Sequence, residues 1–367
     1  MVEKLFKRTV ASFLKLLFRS HPPETLGTSP HRILVIRQHN QLGDMLCVVP
    51  LLRALRAKYP EARLDLMASP VNQEVMLKSR LLSGVVLYDK KKFLRNGLIR
   101  PVTLLRFIGS LRGLYQMVLV PGTVSTSFTS DFLAFLTGAR LRIGVGSLEG
   151  HENNSSFFFN IAEDLQWGND PHRHQTLRNL DVARSLNLET PDCSHQMTLT
   201  EDEIEIGRTI ATGLRSSRQT LIGFHPGAGK TANRWPPEMF AELIDLLTAD
   251  PAVSVFVTSG PMDEQVVAST TSKLKSAVQI VSNQGVRTIA SIIKQADLYV
   301  TNDTGVMHIA AAVGAPVLAL FGPTDPLQWA PLGPKIRYIQ GEGGDIRQIS
   351  VDAVYRAATG MIGKKRP

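Results

Sequence analysis

Cysteine is scarce in this sequence, with only Cys47 and Cys193 among 367 residues. Two cysteines cannot form the disulfide framework of a small secreted domain, and their low count fits a reducing compartment. Apolar residues are never continuous over the roughly 18 positions that a membrane-spanning helix needs. No signal peptide with a cleavage site is visible, and no short-period repeat or low-complexity segment occurs. The sequence therefore argues against a disulfide scaffold, a bundle of membrane-spanning helices and a repeat array.

Negative charge is in short supply relative to positive charge. The 41 Lys and Arg residues outnumber the 32 Asp and Glu residues, which gives a net charge of +9. This excess favours an anionic partner such as nucleic acid, a membrane surface or a phosphorylated substrate. Hydrophobic residues make up 43% and charged residues 20%, as is typical of a globular protein. The length predicts about two domains.

The segment 2–19, VEKLFKRTVASFLKLLFR, has the spacing of an amphipathic helix. Apolar side chains recur at steps of three and four and so share one helical face: Leu5, Phe6, Val10, Phe13, Leu14 and Leu17. Basic residues fall mostly on the opposite face, as in helices that lie in an anionic lipid interface. A helix packed on the protein's own surface is the other interpretation. Residues 1–27 are predicted to form this basic helix, with peripheral membrane contact.

Short apolar strands alternate with helix-length segments from residue 32 onward. Such alternation predicts an α/β protein with parallel sheets covered by helices on both faces. The alternation lapses in the polar stretch 147–202 and then resumes, so two doubly wound Rossmann-like domains facing a central cleft are expected. The predicted boundaries are 28–190 for the first domain, 198–345 for the second, and 346–367 for a final helix and basic tail.

The stretch TNDTGVMHIAAAVGAP begins at the end of an apolar strand. Asp303, Thr304 and Gly305 are expected where that strand ends and a helix starts, with His308 one turn later. The first amides of a helix lack intrahelical partners and the helix dipole is positive there, so a phosphate binds well. An ordinary Asp or Thr helix cap is the competing interpretation.

A second candidate site follows another strand, in GFHPGAGKTANRWPPE at 223–238. Gly227, Ala228 and Gly229 can present backbone amides to an anion, and Lys230 and Arg234 add positive charge. His225, at the end of the strand, belongs to the same candidate set. A loop with solvated cations is the alternative. The pattern GxxxxGK[ST] of a P-loop is absent.

The third candidate site is the loop after the first strand, in RQHNQLGDMLCVVPLLRAL at 37–55. Asp44 is predicted to open a helix that runs to Lys58, where the helix dipole favours its ionised form. It is either a capping acid or a general base. The residues expected to hold a polar acceptor are Arg37, His39, Asn40 and Gln41.

Together these stretches resemble glycosyltransferase family 9, the ADP-heptose:lipopolysaccharide heptosyltransferases. The resemblance spans roughly 31–345. It rests on the order and spacing of four segments: ILVIRQHNQLGDMLCVVPLLRALRAKYP, GFHPGAGKTANRWPPEMFAELI, VFVTSGPMDE and YVTNDTGVMHIAAAVGAPVLALFGPTDPLQWAP.

The resemblance implies a GT-B fold and an inverting mechanism without metal or cofactor. It makes 28–190 the acceptor-binding domain and 198–345, with both candidate anion sites, the nucleotide-sugar-binding domain. It implies that Asp44 deprotonates an acceptor hydroxyl and that Lys230 neutralises the departing diphosphate. Glu264 falls where the family has an acid near the nucleotide ribose. The family's donor-binding pattern D-[ST]-G-x-x-H matches Asp303, Thr304, Gly305 and His308.

Simple electrostatics agrees with this chemistry. Cleavage of a sugar–diphosphate bond builds negative charge on the leaving phosphate, which helix N-termini and a Lys or Arg can stabilise without a divalent ion. The spacing of the histidines at 151, 172, 174 and 195 fits no standard zinc pattern. No metal site is therefore expected.

By resemblance, the chain moves heptose from ADP-heptose to a phosphorylated, lipopolysaccharide core-type glycolipid at the cytoplasmic face of the inner membrane, and it binds no nucleic acid. The first loop, QHNQLGD, is unlike the Ser/Thr-rich first loop of many inner-core heptosyltransferases, so the acceptor stays open. Two alternatives remain: a family member with a different sugar or a non-lipopolysaccharide acceptor, and an isomerase similar to nucleotide-sugar 2-epimerases.

Overall fold

The computed structural model describes residues 29–39, 41–95, 98–216 and 218–363. The chain divides into two compact units, with the boundary between Cys193 and Ser194. The predicted helix at 1–27, Asn40 and the basic tail at 364–367 lie outside the described residues. Within the described part, no helix has both the length and the apolar character needed to cross a bilayer.

The first unit is built on a mostly parallel sheet. Its described strands are β1 (Arg32–Arg37), β2 (Arg63–Ala68), β3 (Gly84–Leu87), β4 (Leu94–Arg95), β5 (Leu98–Ile99), β6 (Met117–Leu119), β7 (Leu141–Leu148), β8 (His151–Glu152) and β9 (Ile161–Leu165). The large sheet has the order β3-β2-β1-β6-β7-β8, with β9 also paired to β7, whereas β4 and β5 form a separate pair. Among the described strands of the large sheet, β8 alone runs antiparallel to its neighbour. Ile33 to Ile36 in β1 are at most 1% exposed, as expected of a strand covered on both faces.

The helix after the first strand is interrupted. The described helices of this unit are α1 (Leu42–Leu46), α2 (Val49–Lys58), α3 (Pro101–Leu111), α4 (Phe128–Leu136) and α5 (Gln175–Asp181). The prediction of one continuous helix from Asp44 to Lys58 is therefore wrong. Pro50 is the cause, because proline has no N–H to donate and its ring collides with the carbonyl four residues earlier. Asp44 consequently lies in the first turn of the short helix α1.

The polar stretch at 147–202 contains more regular structure than its composition indicated. β9 extends the sheet by pairing with β7 in parallel. Its side chains alternate between buried and exposed, so it lacks the continuous apolar run that marks the central strands. The helix α5 also lies in this stretch and ends at Asp181, and a 3₁₀ turn follows at Arg184–Leu186.

The second unit contains a fully parallel sheet. Its strands are β10 (Thr220–His225), β11 (Val253–Ser259), β12 (Gln279–Ser282), β13 (Leu298–Asn302), β14 (Val317–Phe321) and β15 (Ile336–Gln340). They run in the order β12-β11-β10-β13-β14-β15, which is the strand order of a doubly wound Rossmann fold. The predicted class of two Rossmann-like α/β domains is thereby confirmed for each unit taken by itself.

Helices cover the sheet of the second unit. They are α6 (Glu201–Arg215), α7 (Pro237–Thr248), α8 (Glu264–Thr271), α9 (Val286–Ile293), α10 (Gly305–Ala312), α11 (Pro326–Trp329) and α12 (Val351–Gly363). The last of these packs into the core, where Val354 and Ala358 are fully buried beside Trp235. Trp235 is itself anchored, because its indole N–H donates to the carbonyl of Ile349 at 2.9 Å.

Both sheets have a topological switch point, where neighbouring strands connect in opposite directions along the sheet. In the first unit it lies between β1 and β6, and in the second between β10 and β13. Ligands of doubly wound folds bind beyond the carboxyl ends of the strands at this point. All three candidate loops follow one of these four strands, at Arg37, His225 and Asn302.

One glycine allows close packing of α6 on α9. A Cβ at Gly207 would lie 2.4 Å from the carbonyl oxygen of Ser291. Gly207→Ala should therefore lower the free energy of unfolding by about 1–3 kcal/mol. Gly213→Ala is a matched control in the same helix, because a Cβ there meets nothing within 4 Å. It should stabilise the protein by up to about 1 kcal/mol through helix propensity. Urea denaturation compares the two variants, and equal effects would contradict this account of the packing.

Candidate functional site

The switch point of the first unit brings an arginine and an aspartate together. The side chain of Arg37 is buried, and its Nη2 donates to Oδ2 of Asp44 at 2.9 Å. Its Nη1 donates to the carbonyl of Pro121, in the loop after β6, at 2.9 Å. Among the described residues its Nε has no hydrogen-bond partner. Because a buried charge is costly unless it is paired, the guanidinium fixes the position of the Asp44 carboxylate.

The environment of Asp44 makes it a stronger base than an ordinary aspartate. Burial raises the pKa of Asp44 above its ordinary value of 3.8, and this outweighs the opposing charges of Arg37 and His39. The side chain of Asp44 is 9% exposed, so its carboxylate is largely shielded from solvent but is still accessible to a ligand. A partly shielded carboxylate of this kind suits a general base.

The other acceptor-side candidates lie around this pair in different environments. Burial lowers the pKa of His39 below 6.5, with Arg37 acting in the same direction, so its imidazole is neutral at pH 7. Gln41 is exposed at the start of α1, and its side chain forms no helix-cap hydrogen bond. Asn40 lies outside the described residues. A neutral imidazole and an exposed amide can both hydrogen-bond sugar hydroxyls.

A buried asparagine that sequence reasoning missed shapes this loop. Asn72 is fully buried, and its Nδ2 donates to the carbonyls of Arg37, at 3.2 Å, and of His39. Its Oδ1 accepts from the backbone N–H of Ser69 at 2.8 Å. The loop after β1 is therefore tied to the loop after β2. No local pattern marks this asparagine, because the two carbonyls to which its Nδ2 donates lie far away along the chain.

An open pocket of about 570 Å³ lies beside the loop, at the carboxyl ends of β1, β2 and β3. It is lined by Gln38, His39, Ser69, Pro70, Val71, Tyr88, Asp89, Lys90 and Lys91. The two lysines are exposed, and an aromatic ring and short apolar side chains form part of the wall. This combination suits an anionic saccharide, which presents charged groups and apolar ring faces.

In the second unit the N-terminus of α10 is open to a ligand. Thr304 is its N-cap residue, yet the Thr304 side chain makes no cap hydrogen bond. Residues 303–306 are half-buried, whereas Met307 and His308 are buried. The interpretation as an ordinary cap thus lacks the hydrogen bond that defines one. The first amides of α10 and the Thr304 hydroxyl are available to bind an anion.

Asp303, at the same edge, is held by an asparagine from the neighbouring loop. Asn233 donates from Nδ2 to Oδ2 of Asp303 at 2.8 Å and to Oγ1 of Thr324 at 3.1 Å. Burial raises the pKa of Asp303, while Thr324 and the positive charge of Lys230 lower it. Lys230 is exposed and lies close enough to act electrostatically on this carboxylate. The two predicted anion sites therefore adjoin each other.

The glycine loop after β10 rests on a buried histidine and an aspartate. Nδ1 of His225 lies 3.0 Å from Oγ1 of Thr258, and its Nε2 lies 3.6 Å from Oδ2 of Asp263. Burial lowers the pKa of His225, with Asp263 opposing, so the ring is neutral. A Cβ at position 227 would lie 2.2 Å from Oδ1 of Asp263, so any larger residue there would displace this carboxylate. Asp263, and not the exposed Glu264, is the acid in contact with the loop.

Two further contacts fix the shape of this loop. Nε of Arg234 donates to the carbonyl of Ala228 at 2.8 Å. Asn302 is fully buried. Its Nδ2 donates to the carbonyl of Pro226 at 2.8 Å, and its Oδ1 accepts from the backbone N–H of Trp235 at 3.1 Å. A rigid loop keeps its backbone amides in fixed positions. Amides held in this way can stabilise negative charge that develops during a reaction.

His308 is placed differently from the other donor-side candidates. It is 3% exposed on α10, and its Nδ1 lies 3.4 Å from Nδ1 of His195. Its ring also packs edge-on against Trp329. Asp303, Thr304 and Gly305 lie at the half-buried start of α10, whereas His308 is buried one turn further along the helix.

A family model for glycosyltransferase family 9 (heptosyltransferase) matches residues 104–350, which is more than half of the chain. The chain belongs to glycosyltransferase family 9. It is therefore a glycosyltransferase, and the resemblance noted from the sequence is confirmed.

Individual relatives agree with this assignment. The chain is 27% identical over 321 residues to lipooligosaccharide heptosyltransferase 2 of Haemophilus influenzae, covering 82% of this chain and 87% of the relative. Its fold is similar to that of a family 9 glycosyltransferase from Veillonella parvula, with a TM-score of 0.77, 21% identity, and coverage of 91% and 98% of the two chains. The E. coli ADP-heptose lps heptosyltransferase II gives a TM-score of 0.75 at 23% identity, with coverage of 92% and 100%.

Within this family 9 glycosyltransferase, sequence reasoning singled out candidate residues at the strand ends, but it did not single out the buried asparagines that hydrogen-bond to those loops. Asn72, Asn233 and Asn302 each join two loops that are distant in the sequence. The only available signal was position, because Asn233 lies inside the quoted glycine-loop stretch and Asn302 directly precedes Asp303.

Asn233 supplies a hydrogen bond to a partly buried carboxylate, so its removal should be costly. Asn233→Ala is expected to lower the free energy of unfolding by about 1.5–3 kcal/mol at neutral pH, the usual value for a bond to a charged group. The loss should shrink as the pH falls through the raised pKa of Asp303, because a protonated carboxyl needs the donor less.

Urea denaturation of Asn233→Ala, Asp303→Asn and the double variant tests this contact. The loss caused by Asn233→Ala should largely disappear in the Asp303→Asn background. A loss that is the same in both backgrounds, at every pH, would assign Asn233 a packing role only.

Proposed function

We propose that this glycosyltransferase moves heptose from ADP-heptose to a lipopolysaccharide core-type glycolipid, by an inverting reaction that needs no metal ion. The named activities of the relatives described above support the substrate classes. The single observation that carries the proposal is the open start of α10, where Thr304 leaves the helix uncapped beside Asp303 and Lys230.

The donor's diphosphate is proposed to bind across the two adjoining loops of the second unit. Its oxygens accept from the first amides of α10, from the loop at 227–229 and from the hydroxyl of Thr304. Lys230 adds a positive charge that neutralises the departing diphosphate. Asp263 is better placed than Glu264 to accept from a ribose hydroxyl, because its carboxylate touches the loop.

The acceptor is proposed to bind at the first unit. Its sugar hydroxyl gives its proton to Asp44, whose raised pKa makes it a stronger base than an ordinary aspartate. Arg37 keeps the carboxylate oriented. Lys90 and Lys91 in the adjacent pocket are suited to the phosphates or carboxylates of a core-type glycolipid. Such an acceptor places the proposed reaction at the cytoplasmic face of the inner membrane.

A single displacement follows from these roles. The deprotonated acceptor oxygen attacks the anomeric carbon, the bond from that carbon to the diphosphate oxygen breaks, and ADP leaves. One carboxylate base is enough for this step, and no covalent sugar–enzyme intermediate forms. The negative charge on the leaving group meets amides and Lys230, which perform the task that a divalent ion performs elsewhere.

Asp44→Asn keeps the shape of the side chain and removes the base. The turnover number should fall by a factor on the order of 10² or more, while calorimetry shows donor binding close to wild type. In the wild-type enzyme, activity should fall on the acid side at a pH above that of an ordinary aspartate, because the pKa of Asp44 is raised and its protonated form is inactive.

The control for this substitution is Asp352→Asn on α12, an exposed carboxylate whose loss should leave turnover unchanged. Turnover that survives Asp44→Asn, or donor binding that is lost with it, would remove Asp44 from the role of base.

A thermal-shift screen tests the donor and the metal together. A ligand that binds only the native state raises the melting temperature. ADP-heptose should raise it more than UDP- and GDP-sugars do, and an excess of EDTA should change neither this shift nor the transfer rate. A larger shift with another nucleotide sugar would identify a different donor. Activity lost in EDTA and restored by Mg²⁺ or Mn²⁺ would overturn metal independence.

A further inference from the structure

Helix α3 presents apolar side chains to solvent. Val102 is 59% exposed and Leu105 is 66% exposed. These residues lie three positions apart, so they share one face of the helix, and the exposed Arg106 lies next to them. Exposed single apolar residues are common, but two large ones on one short helix beside an arginine form a patch.

The orientation of this face is fixed by packing on the opposite side of α3. Phe107 contacts the rings of Tyr88 and Phe93, with centroid distances of 5.8 and 5.2 Å. Leu111 is buried in the same cluster, and Leu104 packs against it. These contacts hold α3 against the 3₁₀ turn Lys90–Phe93. The outer face therefore cannot turn inward without breaking the aromatic cluster.

Exposed cations lie on α3, at the residue before it and on the 3₁₀ turn packed against it. The cations are Lys90, Lys91, Lys92, Arg100 and Arg106, and all five are exposed. Within the described part of the chain none of them takes part in an ion pair. Asp89 is the nearby acid, and its Oδ1 already accepts from the backbone N–H of Lys91 at 3.0 Å. We name this surface, consisting of Val102, Leu105 and the five cations, the α3 face.

We propose that the α3 face docks on the surface of an anionic lipid bilayer. Exposed apolar side chains beside clustered lysine and arginine are the two features that such an interface binds. Two aliphatic side chains are too few for deep insertion, so attraction of the cations to anionic headgroups dominates and the contact is shallow. The N-terminal segment is not needed for this inference, because the α3 face lies wholly within the described residues.

The charge pattern distinguishes a bilayer from other occupants. A second copy of this chain would bring a like-charged face against the five cations, which costs energy. Nucleic acid would engage the cations but would leave the aliphatic pair without a partner. An anionic bilayer satisfies both, because its headgroups face the cations and its acyl boundary accepts Val102 and Leu105.

The inference adds a location to the proposed function. Lys90 and Lys91 belong both to the α3 face and to the acceptor-side pocket. A glycolipid headgroup that leaves the bilayer at this face therefore meets the pocket directly. Only this link rests on the proposed function, since the docking itself depends on the α3 face alone.

A fluorescent reporter on the face tests the docking in the full-length chain. Val102→Cys is labelled with an environment-sensitive NBD dye in a Cys193→Ser background, because Cys47 is buried. The control label is at Met262→Cys, an 82% exposed position in the second unit. Phosphatidylglycerol-containing vesicles should shift the emission of the dye at 102 to the blue. Pure phosphatidylcholine vesicles should not shift it, and the dye at 262 should not respond to either.

Charge removal supplies the second arm of the test. Lys92→Gln with Arg106→Gln lies outside the acceptor pocket and should raise the lipid concentration for half of the response about tenfold or more. The matched control, Lys273→Gln with Lys275→Gln, removes two exposed charges from the second unit and should leave it unchanged. High salt should weaken the response in both proteins.

Three outcomes of these vesicle experiments would contradict docking through the α3 face. Protein that sediments with anionic vesicles while the dye at 102 keeps its aqueous spectrum binds through another segment, which overturns the proposal. An equal response to neutral vesicles, or a response that appears without lipid as protein concentration rises, also overturns it. No donor or acceptor is present in the assay, so its failure leaves sugar transfer to a water-soluble acceptor fragment untouched.

Discussion

The buried ion pair between Arg37 and Asp44 is the interaction on which the chemistry of the first unit depends. A carboxylate at this depth would take up a proton without a partner, and an unpaired guanidinium there would be equally unfavourable. The pair joins the end of β1 to α1, and the second bond of Arg37, to Pro121, joins both to the loop after β6. The proposed base is thus held by the same strands that define the switch point of the sheet.

In the second unit, neutral amide side chains rather than a buried ion pair hold the candidate site in place. A site for a diphosphate needs positive potential before the ligand arrives, and backbone amides supply it only where the backbone is rigid. Asn302 and Asn233 provide that rigidity, because one ties the glycine loop to the end of β13 and the other holds Asp303. Lys230 then needs no fixed position, since a flexible cation adds to a field that the loops already set.

The residues at the carboxyl ends of the strands could be predicted from the sequence, because the patterns that mark them are local. An apolar strand followed by Asp-Thr-Gly or by a glycine loop places those residues at a carboxyl end whatever the rest of the chain does. The supporting amides could not be predicted, because Asn72, Asn233 and Asn302 act on partners brought near only by folding. Pro50 was visible, but the apolar periodicity on both sides of it concealed the break between α1 and α2. β9 was missed since half of its side chains face solvent.

The stereochemistry of the product tests most directly whether one carboxylate base and one metal-free anion site carry out a single displacement. The anomeric configuration of the transferred sugar can be read by NMR from the one-bond carbon–proton coupling, in product made from a donor of known configuration. The account predicts that the configuration at the anomeric carbon is inverted. A product with retained configuration would contradict it, because retention requires a second nucleophile or a front-face mechanism, whereas the proposed reaction uses one base and a single displacement.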